Sequence, residues 1–196
     1  MSTPAKINFK LYQGSTFNEV LRWESSVKTY ATITNINKSA PLVLTAPAHG
    51  VPQEWRVKFT NVTGMVELNN ADTYYQATSV TTNTITINEI NSLGFKAYAS
   101  GGIVEYNTPI DLTGFTARLQ ARSKVDDVNY IFELTTQNGG IVLNNTNKTI
   151  TIAIPAETTA AYTFSSVLYG LELISSGGQV TLLCTGTITL VKEVVR

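Results

Sequence analysis

The sequence has one cysteine, Cys184, and one histidine, His49, in 196 residues. A single cysteine excludes an intramolecular disulfide and a cysteine-based zinc site. A single histidine excludes a metal held by a histidine pair, and any Ser-His-Asp set would have to use His49. Charge is also scarce, at 14% of residues, against about a quarter in an average domain. Lys+Arg 14 balance Asp+Glu 14, so the basic excess expected of a nucleic-acid binder is missing. No apolar run approaches the roughly 20 residues of a membrane helix. The opening Met1-Ser2-Thr3-Pro4-Ala5-Lys6 lacks the apolar core of a secretion signal. The expectation is a soluble chain made in a cytosol, with neither nucleic acid nor membrane as a partner. Near-zero net charge gives little protection from self-association and suits a chain that lives inside an assembly.

Catalytic patterns are missing as well. There is no Gly-x-Ser-x-Gly elbow, and Gly101-Gly102, Gly139-Gly140 and Gly177-Gly178 do not open a helix with Lys-Ser/Thr behind them, so they read as turns. Asp126-Asp127 lacks the Asp-x-Asp-x-Asp-Gly spacing of a calcium loop and reads as a solvated loop. His49, in a Pro-Ala-His-Gly turn, reads as structural. Cys184 reads as a small buried residue in the strand around Leu182 and Leu183. No catalytic, cofactor-binding or metal residue is assigned, and no enzyme activity is expected.

What the sequence does have is Thr, Asn, Ser, Val and Ile in short runs between glycine-containing turns, an all-β composition. The clearest stretch is Pro109–Arg122. Asp111, Thr113 and Gly114 supply turn chemistry. Phe115, Ala117, Leu119 and Ala121 then alternate with Thr116, Arg118, Gln120 and Arg122, the period of a strand with one face on a core. Residues Lys6 to Trp23 predict a hairpin turning at Gln13-Gly14-Ser15. After Phe115 the strands continue through Tyr130–Leu134, Ile141–Leu143, Ile150–Ile154, Tyr169–Leu173, then Val180, Leu182 and Cys184, and finally Gly186–Val191. Pro155–Tyr162 is a helical turn, with Pro155 suited to its first position. Together these give about eight strands at sandwich spacing.

Residues 29–106 have a different texture. Strands are shorter and turns more frequent: Ala31–Ile36, Leu42–Leu44, Arg56–Val62, Thr73–Val80, Thr84–Ile87 and Gly101–Tyr106. That pattern predicts a small closed barrel inserted into the sandwich. The expected fold is therefore all-β: a discontinuous β-sandwich host (1–28 plus 107–196) with an inserted small β-barrel domain (29–106). Within the insert, Trp55, Tyr74, Tyr75 and Tyr98 are candidates for an aromatic surface contacting a partner or a glycan. The alternative is that half of them are barrel core.

The host pattern resembles a known kind of protein. Gln13-Gly14-Ser15-Thr16-Phe17, Ile110–Arg122, an Ile-Thr-Ile strand, Pro155–Ala160, Tyr169-Gly170-Leu171-Glu172-Leu173 and Gly186–Leu190 together look like a β-sandwich of tailed-bacteriophage structural proteins, similar to the N-terminal domain of baseplate upper proteins. The insert, through Ala48-His49-Gly50, Val62–Asn69 and Ala97–Gly102, resembles the small barrel of phage tail proteins and of ubiquitin-activating enzymes. The resemblance implies a non-enzymatic virion structural protein, a tail or baseplate adaptor that anchors fibres or receptor-binding proteins. Its partners would be other virion proteins (tail, collar or fibre components) and its own copies in a symmetric assembly, with no cofactor. The alternatives are a capsid decoration or head-fibre protein, and a carbohydrate-binding module.

Overall fold

The structure is a computed structural model, and residues 3–70 and 72–193 are described. In chain order the strands are β1 (Ala5–Lys6), β2 (Phe9–Tyr12), β3 (Phe17–Leu21), β4 (Glu24–Thr32), β5 (Asn35–Asn37), β6 (Leu42–Thr45), β7 (Arg56–Thr63), β8 (Tyr75–Gln76) and β9 (Ser79–Val80). There follow β10 (Thr84–Ile87), β11 (Ser100–Pro109), β12 (Thr116–Arg122), β13 (Phe132–Thr135), β14 (Ile141–Asn144), β15 (Thr149–Ile154), β16 (Ser166–Ile174) and β17 (Val180–Val191). Among the described residues, helix α1 (Ala156–Ala161) and a 3-10 turn (Val66–Leu68) are the helical pieces. The fold class is all-β.

The chain divides into two compact units, residues 1–23 with 111–196, and residues 24–110. The expected boundaries lay at 28/29 and 106/107. They move outward because β4 and β11 pair along their length, with Glu24 opposite Pro109, so both strands belong entirely to the second unit. Its chain entry and exit are therefore neighbouring positions of one ladder, the condition under which an insertion leaves its host intact.

The first unit is a two-sheet sandwich. Its larger sheet has the order β1-β17-β16-β12-β13, with β2 also alongside β17, and its smaller sheet is β14-β15-β3. Strand β15 reads Thr-Ile-Thr-Ile-Ala-Ile, and Ile150, Ile152 and Ile154 are all buried. They meet Leu119, Leu171, Leu173 and Ile188 of the facing sheet in one core. Each such side chain contributes roughly 1.5–3 kcal/mol on burial, which fixes the register: a one-residue slip would turn every isoleucine to solvent.

The structure departs from simple local patterns at three places. Lys6–Trp23 is not a hairpin: β2 runs parallel to β17 while β3 pairs antiparallel with β15 in the other sheet. Residues 13–16 are an arch between sheets, fastened by α1. The Gln13 amide donates to Ala160 O (3.1 Å) and Tyr162 O (3.0 Å), and the Thr159 hydroxyl donates to Ser15 O (2.8 Å). Second, Val180 and Leu182 are exposed although Cys184 is buried. A bulge shifts the β16–β17 register, pairing Leu171 with Cys184 but Glu172 with Leu182, so the extra residue Leu183 reverses the alternation. Third, Pro155 precedes the first helical residue, since its ψ of 152° is still extended.

The second unit has two four-stranded sheets, β5-β6-β10-β9 and β4-β11-β7-β8, around a core that includes Trp55, Phe59, Leu44 and Ile85. The edges of the two sheets are continuous along the chain. β4 passes into β5 through Ile33 and Thr34, whose amides donate to Gly102 O (3.0 Å) and Thr45 O (2.8 Å). β8 passes into β9 through Ala77 and Thr78, whose amides donate to Trp55 O (2.9 Å) and Thr86 O (3.0 Å). The arrangement is two sheets joined along the chain at two corners. The predicted strand Thr73–Val80 is broken at its corner into β8 and β9.

Candidate functional site

The aromatic residues singled out from sequence do not form one platform. Trp55 has no exposed surface. It lies in the core, its indole N–H donating to Asn107 O (2.9 Å). Tyr75 packs on that core and stacks on Phe59, with ring centroids 5.8 Å apart. Tyr98 is half-buried, its hydroxyl donating to Gly101 O (2.9 Å). Tyr74 is surrounded by cations: the Lys28 ammonium donates to its Oη (2.8 Å), and Lys28, Arg56 and Lys58 stand 5.3, 5.1 and 5.6 Å from its ring centroid. Glu105 bridges Lys28 (3.4 Å) and Lys58 (3.5 Å), and Glu24 holds Arg56. The Tyr74 hydrogen bond, helped by Glu105, holds the Lys28 ammonium above its ordinary value. A ring already engaged by cations is not an open face for a sugar.

His49 is a turn-holder. Its Nδ1 accepts from the Val51 amide (3.0 Å), its Nε2 lies 3.3 Å from Thr84 O, and the Tyr106 hydroxyl donates to His49 O (2.7 Å). Ala48 and Gly50 on either side have positive φ (51° and 67°). Cys184 is buried, with Sγ 3.7 Å from the Tyr169 hydroxyl. Burial pushes its thiol above the usual range, which suppresses the reactive thiolate. Among the described residues no group of three or more His, Cys, Asp or Glu is placed to hold a metal ion.

The feature that sequence reasoning missed lies on the outer face of the larger sandwich sheet. A trough of about 590 Å³ crosses β12, β16 and β17 there. Gly170 leaves bare backbone on its floor, since a Cβ at that position would meet only Leu182 Cδ1, at 3.5 Å. Leu168, Leu182 and Val125 form apolar walls, and Lys6, Arg118 and Arg122 bring positive charge. Arg118 is paired with Glu172 (2.7 Å). Arg122 instead donates to neutral acceptors: Asp127 O (2.9 Å), Val128 O (2.7 Å) and Gln120 Oε1 (2.6 Å).

Arg122 thereby fixes the connection from β12 to β13. Within it the Lys124 amide donates to Asp127 Oδ2 (2.9 Å), and the Ile131 amide donates to Ala121 O (2.7 Å). This ordered loop presents Val125 and Val128 at 78% and 91% exposure, with Tyr130 and Ile131 also exposed. The trough did have a sequence signal. Gly170 stands between Leu168 and Glu172 on the face opposite the buried Tyr169 and Leu171, and an isolated strand glycine marks open surface or close approach.

The model of the ubiquitin-activating enzyme E1 FCCH domain matches residues 42–107. The match lies within the second unit, from β6 through most of β11, so this part of the chain is similar to that domain. It covers none of the sandwich. No curated protein matches the chain.

Proposed function

We propose that the chain is a non-enzymatic structural protein of a tailed-phage particle, an adaptor of tail or baseplate that holds fibre or receptor-binding components. Its working surface is the outer face of the larger sandwich sheet. The observation that carries a docking role is the β12–β13 loop. It is held in place by Arg122 while two valines stand almost fully in solvent. Exposed apolar side chains on an ordered support mark a surface made to be covered, and preorganisation lowers the entropy cost of covering it. The phage assignment is supported by the resemblance of the sandwich strands and by their nesting around an insert similar to the FCCH domain. Such a protein acts through recognition, with weak contacts multiplied by symmetry.

Mass spectrometry of purified particles tests this reading. The chain is expected at stoichiometric abundance, with a label on it appearing at the tail by electron microscopy. Absence from particles overturns the proposal, and a label on the head replaces the adaptor with a decoration protein.

A further inference from the structure

We infer that the outer face of the larger sandwich sheet is where two copies of this chain dock, the β12–β13 loop of each seated in the trough of the other. The inference deepens the adaptor reading by naming the first partner as a second copy.

Charge complementarity is the first argument. In the trough, the Lys6 ammonium has no hydrogen bond or ion pair among the described residues, and the Arg122 guanidinium bonds only neutral oxygens there. Among the residues lining the trough the one carboxylate, Glu172, is paired with Arg118. In the loop, Asp127 caps the Lys124 amide, but Asp126 is exposed and has no bonded partner among the described residues. One surface therefore offers two cations without carboxylate partners between apolar walls. The other offers the exposed Asp126 carboxylate flanked by exposed valines, with Lys124 and Asp127 in the same loop. Each supplies what the other lacks, and matched potentials of this kind set register and exclude wrong partners.

Geometry is the second argument. Val125 belongs to the loop and also lines its own trough, so the two features adjoin. A neighbour's loop entering this trough brings this loop to the neighbour's trough. The contact is then isologous and closes as a two-fold dimer. Net charge of zero means that no long-range repulsion opposes the meeting of two copies.

Sedimentation velocity and native mass spectrometry of the whole chain test it. The wild type is expected to dimerise at tens of micromolar, roughly the range of a small interface. Asp126→Lys and Lys6→Glu should each weaken association about tenfold or more, and the double variant should recover it. Leu182→Glu, on the apolar wall, should also weaken it. Circular dichroism melts matching wild type confirm that each variant is folded.

A wild type still monomeric at roughly 100 µM overturns the inference. So does an odd-membered ring, or folded single variants that associate as well as wild type. A monomer that is nonetheless found in particles removes the self-docking and leaves the adaptor standing. A dimer absent from particles does the reverse.

Discussion

A Cβ built on Gly186 would collide with the carbonyl oxygen of Ile7. That oxygen accepts from the Tyr169 hydroxyl (2.9 Å), and the Ile7 amide donates to Thr185 O (2.9 Å). The N-terminal strand therefore lies against β17 only because position 186 has no side chain. Gly186→Ala is expected to cost roughly 1–3 kcal/mol or more, the range for overpacking a closed site, read as a lower urea midpoint for the sandwich. Cys184, nearby in the same core, gives an independent probe. With its thiol buried and shifted up, alkylation at pH 8 should be at least about a hundredfold slower in the native protein than in urea. Native labelling at the unfolded rate would show that the β16–β17 core opens freely. In the second unit, His49→Ala removes the acceptor of the Val51 amide, and leaving that buried donor unpaired should cost about 1–3 kcal/mol, seen in thermal melts.

Among the elements, β15 and the Tyr169–Leu173 part of β16 were legible, because strict alternation of Ile150, Ile152 and Ile154, and of Tyr169, Leu171 and Leu173, admits one buried face. β17 was not. Its residues alternate in sequence, but the bulge at Leu183 reverses the face partway along, and a bulge is set by the partner strand. The consequence is measurable: Val180→Thr and Leu182→Thr should change stability by less than about 0.5 kcal/mol, while Leu171→Ala should cost about 2–5 kcal/mol. Equal losses at all three positions would deny the bulge. The N-terminal strands failed as a hairpin for a related reason. Gly14 has positive φ (74°), which suits a tight turn and an arch between sheets equally well. Only the pairing of β2 with β17 and of β3 with β15 separates the two.

For the molecule as a whole, the division at 23/24 and 110/111 makes an excision test direct. Glu24 and Pro109 are opposed, with Cα atoms about 5 Å apart in such a pair, so a short Gly-Ser link from Trp23 to Asp111 should leave a cooperatively folding sandwich. Residues 24–110 expressed alone should melt cooperatively as well. A molten product from either would mean that the units are not separate folding bodies. By itself the sequence determined the all-β class, the interruption of one strand pattern by another, and most strand positions. These follow from local periodicity and turn chemistry, which neighbouring residues encode. The resemblance of the insert was legible too, in motifs that span its turns. Only the tertiary structure decided which sheet each N-terminal strand joins, where β17 changes face, that Trp55 is core, and that Tyr74 is ringed by cations. It alone placed Lys6, Arg122, Gly170 and Val125 around one trough. Those are long-range pairings, fixed by where distant strands meet in closing a core, and no local pattern along the chain carries them.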